Sequence, residues 1–231
     1  MTADATLGGQ DILEGRLILP LSGVWHAEAW LSGDAPELGP SSLLILGDGE
    51  PEVSFACSIA VSRNVEGRAY VLAVAGAGGL SSSALSVDVP AQHYDGDPTS
   101  VSAAELLTDL CDLAGERLDP TAKASLAAYT ASSWFREAGS ASLAATRVAR
   151  RWGLSLRFLP SGLLWAGEET WPAPSVEPEP VDPLDDGWAL SVAPRGASLM
   201  PGQMVQGQRI LRVEYCLGED FRAQLWYRDS A

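Results

Sequence analysis

From Ile12 to Val89 the chain alternates short apolar runs with turn residues. The runs are Arg16 to Leu19, Val24 to Leu31, Ser42 to Leu46, Val53 to Val61, Ala69 to Ala75 and Ala84 to Val89. Between them lie Leu21-Ser22-Gly23, Ser32-Gly33-Asp34, Gly47-Asp48-Gly49, Asn64 to Gly67 and Gly76 to Gly79. Breaks at that spacing predict an antiparallel meander or barrel. Successive strand side chains point to opposite faces. Trp25, Ala27 and Ala29 therefore share one face, with His26, Glu28 and Trp30 on the other, so at least one tryptophan meets a second surface.

Between Ser100 and Trp152 the period becomes helical. Ser102, with Glu105 three residues on, forms a capping box, and Leu106, Leu110, Leu113 and Ala114 make one apolar stripe that ends at Gly115. Asp119-Pro120 supplies an N-cap and a first-turn proline for a second helix to about Tyr129. Ser140 opens a third, with Leu143, Arg147, Val148 and Arg151 three or four apart before Gly153 stops it. Leu154 to Leu159, the turn Pro160-Ser161-Gly162 and Leu163 to Ala166 then read as a hairpin fed by that helix. The proline-rich acidic stretch after Trp171, PAPSVEPEPVDPLDDG, reads as an exposed connection. Strand pattern returns at Trp188 to Val192, and after a Met200-Pro201-Gly202 turn Ile210 to Cys216 and Phe221 to Tyr227 form a hairpin around Gly218-Glu219-Asp220. Val213 and Tyr215 face one way; Leu211 and Glu214 fit the alternation less well.

The expected fold is therefore mainly β with a small α insert, an α+β chain. Four units follow: a β barrel-like domain over 1–98, a helical insert and helix-hairpin unit over 99–171, an acidic connection over 172–187, and C-terminal strands over 188–231. At 231 residues, 46% hydrophobic and 19% charged, with mean hydropathy near zero, the chain is long enough to bury a real core. Its net charge of −15 opposes general affinity for nucleic acid, which needs clustered Lys and Arg to displace counterions from phosphates. The densest basic cluster, Arg147, Arg150, Arg151 and Arg157, is local and is expected to pair with carboxylates. The first residues carry no basic leader with an apolar core, and no run approaches the roughly 18 apolar residues of a membrane span, so a soluble compartment is expected.

Little in the sequence marks chemistry. Cys57, Cys111 and Cys216 are odd in number and show no CxxC or CxxH spacing, so they read as buried small hydrophobes, not as a disulfide framework or zinc site. Gly76-Ala77-Gly78-Gly79 is the one glycine-rich loop; its consecutive amides suit an anion, but no Gly-Lys-Ser/Thr or helix follows, and a sharp turn is the expectation. His26 and His93 stand in unrelated contexts, and no GxSxG elbow marks a nucleophile. Glu168 with Glu169, and Asp182 with Asp185 and Asp186, lack an EF-hand arrangement and read as solvated loop acids. No catalytic, cofactor-binding or metal-ligating residue is assigned, and the chain is not expected to be an enzyme. Eight tryptophans and the paired acids keep one competitor alive, a carbohydrate-active protein, either a small glycoside hydrolase or a glycan-binding module. An enzyme of another kind would need a pocket gathering His26 or His93 with acids.

Several passages together resemble the tail hub or baseplate hub proteins of tailed bacteriophages and related contractile injection systems. They are LILPLSGVWHAEAWL, the VAGAGGL turn, SAAELLTDLCDLAGE, and SWFREAGSASLAATRVARRWGLSLRFLPSGLLWAGEETWP, with Trp134 before a helix, the Leu159-Pro160-Ser161-Gly162 turn and the closing Trp165 to Gly167; LMPGQMVQGQRILRVEY is similar to that family's last barrel strands. The resemblance spans most of residues 12 to 228. It implies two barrel-like antiparallel β domains and a homo-oligomeric ring, commonly a trimer, that joins the tail tube or distal tail protein to a central spike or fibre around the DNA channel. A tape-measure protein is a further implied partner, and the location implied is the virion, assembled in the host bacterial cytoplasm. No cofactor, sequence-specific nucleic-acid binding or membrane insertion is implied. Trp30, Trp171 and Trp226 are candidates for the ring's apolar interfaces.

Overall fold

The computed structural model describes residues 5–45, 53–96, 100–175, 182–184, 187–190, 199–218 and 221–227. Six strands close on themselves at the N-terminal end: β1 (Ala5–Leu7), β2 (Gln10–Pro20), β3 (His26–Leu31), β4 (Gly39–Ile45), β5 (Val53–Val65) and β6 (Arg68–Ala75). Their order is β1-β4-β5-β6-β3-β2, and pairing of Thr6 with Asp11 and Leu7 with Gln10 returns β2 to β1 and shuts an antiparallel barrel. The alternation of apolar side chains fills it: Leu17, Leu19, Ala27, Ala29, Leu31, Leu43, Ile45, Phe55, Val71 and Ala73 are all buried. Trp25 lies in this core edge-on to Phe55, ring centroids 5.4 Å apart, whereas Trp30 faces outward against Tyr70.

Closing so few strands requires strong local bending, and bulges supply it. Register shifts occur between Ile12 and Glu14 on β2 and between Ile59 and Val61 on β5. The first explains why Ile12 is buried although Leu17 and Leu19, of the opposite parity, also point inward. Gln10 to Leu13 and Ser62 to Val65 extend the strands beyond the predicted runs. Conversely, Ala84 to Val89 is strand only at β7 (Asp88–Val89). The preceding serines explain the loss: the Ser81 hydroxyl bonds the Gly78 carbonyl (2.6 Å), and the amides of Ser83 and Leu85 donate to the Ser81 and Ser83 hydroxyls, giving the backbone local partners that compete with a ladder.

The insert follows as β8 (Gln92–Asp95), β9 (Val101–Ser102), α1 (Ala103–Ala114), α2 (Pro120–Leu126), β10 (Thr130–Ala131), β11 (Ser133–Arg136), β12 (Gly139–Ser140), α3 (Ala141–Arg151), β13 (Ser155–Phe158) and β14 (Leu164–Gly167). Both predicted caps form. The Ser102 hydroxyl accepts from the Glu105 amide while the Glu105 carboxylate accepts from the Ser102 amide (2.7 Å), and Asp119 accepts from the Ala122 amide (2.9 Å). The second helix stops at Leu126, short of Tyr129. In α3 the buried face is Ala141, Ala144, Ala145, Val148 and Ala149. Leu143, Arg147 and Arg151 of the expected stripe are exposed instead, because small alanines let the helix pack closely on α1. The hairpin β13–β14 forms at the register Leu156↔Ala166, with Gly162 in the left-handed turn conformation (φ 76).

The expectation of two barrels is corrected at the C-terminus. The remaining strands are β15 (Asp182–Leu184), β16 (Gly187–Leu190), β17 (Met204–Val205), β18 (Gln208–Gly218) and β19 (Arg222–Tyr227). Among the described residues they close no second barrel; β18 instead pairs with β2 from Arg212↔Pro20 to Gly218↔Glu14, and β19, β16 and β15 continue that sheet outward. One long strand, β2, thus serves the barrel on one side and the C-terminal sheet on the other. A bulge between Ile210 and Arg212 shifts the parity of β18, which is why Ile210, Val213, Tyr215 and Leu217 are all buried and Leu211 did not fit. The expected acidic connection is also interrupted: Asp182-Pro183-Leu184 is an edge strand, where proline is tolerated. Gly47 to Gly49, Asp185, Asp186, Ser191, Val192, Glu219 and Asp220 lie outside the described residues.

Because β2 is shared, barrel and C-terminal sheet unfold together. Leu225→Ala, which empties a fully buried site on β19, is expected to lower stability by about 2–5 kcal/mol and to shift a single urea transition. Two transitions with the tryptophan-fluorescence step of the barrel unmoved would contradict this.

Candidate functional site

The residues that sequence reading left without a role come together where the insert meets the barrel. Helix α1 ends at Gly115 in the left-handed conformation (φ 72), and the Glu116 amide closes back on the Cys111 carbonyl (2.8 Å). This reversal aims the Glu116 side chain at the Gly76–Gly79 loop that leaves β6. Ala77 and Gly79 amides each donate to its carboxylate at 2.9 Å, one to each oxygen. The glycine-rich loop is therefore both a sharp turn and an anion cradle, and the anion is the chain's own. A side chain at Gly76 would run into the Glu116 carboxylate, and one at Gly79 into the Ala114 carbonyl. Glu116 is 5% exposed, and burial pushes its carboxyl above the usual range against the pull of the loop amides, Ala77 and Gly79 foremost.

A second buried charge braces the insert internally. Arg136, at the end of β11, donates to the Pro90 carbonyl (3.0 Å) and the Gln92 side chain (2.9 Å), and it pairs with Asp109 of α1. The Tyr94 hydroxyl donates to the same Asp109 carboxylate; burial first, and this acceptor second, raise its pKa. The hairpin is tied down in turn: Pro160 accepts from the Ala56 amide (2.7 Å), Leu156 from the Gly23 amide (2.5 Å), and Asp119 bonds Leu164 (2.8 Å). Arg157 pairs with Glu169 and lies 4.3 Å from the Trp165 ring centre.

The residues weighed for chemistry do not converge. His26 is on the outer face of β3, lowered in pKa chiefly by burial, beside Arg16, Glu28 and Glu214; His93 is exposed on β8 in another sheet. Arg147 pairs with Glu137 and Arg157 with Glu169, whereas Arg150 and Arg151 are exposed with no carboxylate partner among the described residues. Glu168 accepts from the Tyr129 hydroxyl (2.8 Å). Among the described residues no group of three His, Cys, Asp or Glu is placed to hold a metal ion. Cys57 and Cys111 are buried and their thiols are pushed up to about 12 by desolvation, too high for a reactive thiolate. No described helix is long and apolar enough to cross a membrane. The described tryptophans are engaged: Trp134 stacks on Trp152, Trp171 lies under Arg209 and Trp226 under Arg212.

A groove between β11 and the helices is lined by Leu106, Leu110, Trp134, Phe135, Leu143 and Val148. Sequence periodicity had no means of exposing it, because Leu143 reads as core until the alanine face of α3 is known.

The closed small barrel, the helical insert and the extended C-terminal sheet make up a fold that this chain shares with solved tail proteins. The 43 kDa tail protein of prophage MuSo2 from Shewanella oneidensis superposes with a TM-score of 0.66 at 8% identity, covering 96% of this chain and 96% of that one. A tail protein from Neisseria meningitidis MC58 gives 0.66 at 12% identity over 98% and 96%. The E. coli c3393 protein, a component of the type VI secretion system with structural similarity to the T4 bacteriophage tail proteins gp27 and gp5, gives 0.64 at 11% identity over 97% and 77%. No protein-family model matches the sequence, and no curated protein matches it.

Removing the Glu116 carboxylate strands buried amides. Glu116→Ala is expected to cost about 2–4 kcal/mol by denaturant melts. The raised pKa gives a sign: the stability Glu116 contributes is full below its ordinary value of 4.5 and fades as pH rises through its higher folded value. The advantage of the native protein over Glu116→Gln should therefore shrink from pH 4.5 to 7, because burial opposes the ionised form that the loop amides hold; an advantage that grows with pH would show the amides outweighing burial.

Proposed function

We propose that this chain is a structural, non-enzymatic hub subunit of a phage tail or phage-derived injection machine. It forms a ring, commonly a trimer, that joins the tail tube or distal tail protein above to a central spike or fibre below and surrounds the DNA channel, with a tape-measure protein as a further contact. In that reading it is part of the virion, at the tail tip or baseplate. The observation that carries the proposal is the fold shared, over almost the whole length of this chain, with three tail or injection-system proteins from different bacteria.

Charge supports it independently. A ring through which DNA passes has to hold its subunits without gripping phosphates, and a chain of net charge −15 with a single lysine, Lys123, repels the passing polyanion. In this reading the units 1–98, 99–171, 172–187 and 188–231 remain a working division, with β18 fastening the last to the first. The glycan-binding competitor is disfavoured by Trp30, Trp134, Trp152, Trp165, Trp171 and Trp226, whose rings lie against aromatic or arginine neighbours and not open as the platform sugars use.

The purified chain is expected to self-associate in light scattering coupled to size-exclusion chromatography and to co-purify with the tail-tube and spike proteins of the same particle. A monomer that ignores both and binds an oligosaccharide would overturn the proposal.

A further inference from the structure

Five large hydrophobic residues stand exposed among the described residues: Leu13, Leu38, Leu113, Phe135 and Leu143. They fall on two faces. On the insert, Phe135 (60% exposed) and Leu143 (51%) form the lips of the groove between β11 and α3. Leu113 continues the Leu106 and Leu110 face of α1 one turn further. The α3 rim of this face is basic. Leu143, Arg147, Arg150 and Arg151 run along the solvent side of α3, and among the described residues only Arg147 has a carboxylate partner, Glu137, which also lines the groove.

The second face is the end of the barrel defined by the Leu7 to Gln10 turn, the loop from Ser32 to Leu38 and the Val65 to Arg68 turn. Register places these together: Leu31 pairs with both Ile12 and Ala69, the Gln10 amide side chain donates to the Asp34 carbonyl (3.0 Å), and the Ala35 amide donates to Asn64 (2.9 Å). The β2 bulge turns Leu13 outward (41% exposed), and Leu38 is 62% exposed. Around them Asp11, Glu14, Asp34, Glu37 and Glu66 are exposed and make no ion pair among the described residues, against Arg68; Arg63 is occupied over the Tyr70 ring.

We infer that the arginine-rimmed groove of one copy receives the acidic, leucine-bearing barrel end of another copy of this chain. The occupant is argued from complementarity in both sign and character. Each face combines exposed large apolar side chains with unpaired charge, Arg150 and Arg151 along the α3 rim of the groove and a majority of carboxylates on the barrel end. Such a pairing joins different patches on the two copies, so the contact is heterologous, the kind that closes into a ring when the rotation per copy divides the circle. Burying Phe135 and Leu143 would supply the apolar centre, and Arg150 and Arg151 against the barrel acids would set register and exclude like-charged approaches. The inference rests on the ring reading above and adds to it the two surfaces that meet.

The test uses two double variants, F135S/L143S and L13S/L38S, all at exposed positions, with far-UV circular dichroism confirming that each folds. In light scattering each alone should weaken self-association by about tenfold or more relative to the native chain, as truncating interface centres does. Mixed one to one, they should form dimers and nothing larger, because one intact groove meets one intact barrel end. Salt should weaken association of the native chain, and R150E/R151E should remove most of that salt dependence. Native-like association by F135S/L143S, or failure of the mixture to dimerise, would overturn this contact while leaving a ring built otherwise. A native chain that stays monomeric at every concentration would overturn both.

Discussion

A buried carboxylate that caps a loop of glycines holds this molecule together. Glu116 reaches from the end of α1 into the amides of Ala77 and Gly79, and it is the side chain through which the insert grips the strand β6. An ion removed from water needs partners for its charge, and backbone N–H groups in a tight turn are fixed dipoles that cost no side-chain entropy to arrange. The glycines are required by this arrangement. Only a residue without a Cβ lets the Gly79 backbone meet the Ala114 carbonyl and the Gly76 backbone meet the carboxylate. With that joint made, the hairpin β13–β14 can lie against Gly23 and Ala56, and the insert becomes a rigid cap on one end of the barrel.

The other constraint is the shared strand. β2 is hydrogen-bonded to β3 on one edge and, on the other, first to β1 and then to β18. The barrel is closed by a contact of only a few residues, and the strand is then free to seed a second sheet. This lets a chain of modest size carry a closed core and a long open sheet on one continuous strand. The buried charges follow the same logic: Arg136 joins β8, β11 and α1, and Arg157 joins β13 to Glu169.

Much of this was legible where the physics is local. Ser102 with Glu105, Asp119 with Pro120, Gly115 and the Pro160-Ser161-Gly162 turn each specify their element through neighbours within four residues, and each formed as expected. The alternation of Trp25, Ala27 and Ala29 likewise marked the inward face of β3. What failed was non-local. The pairing of β18 with β2 spans almost the full chain, and a bulge at Leu211 erased the parity that would have shown it. The second barrel was expected from resemblance and not from pattern, and among the described residues the C-terminal strands form an open sheet instead. The Gly76–Gly79 loop forms the sharp turn its glycines predict, but its hold on a carboxylate was set aside, because nothing in its own residues points to Glu116. The groove was hidden for a related reason: Leu143 has helical spacing, but alanines took the buried face of α3.

Taken together, acidity and exposed apolar faces fit the proposed reading of a subunit made to be assembled. The most direct measurement is electron cryo-microscopy of the chain assembled with its tail partners. The account predicts copies of this chain in a closed ring around an open axis, with tube density on one side and spike or fibre density on the other. Density for a single copy at the periphery, away from any axial channel, would contradict it.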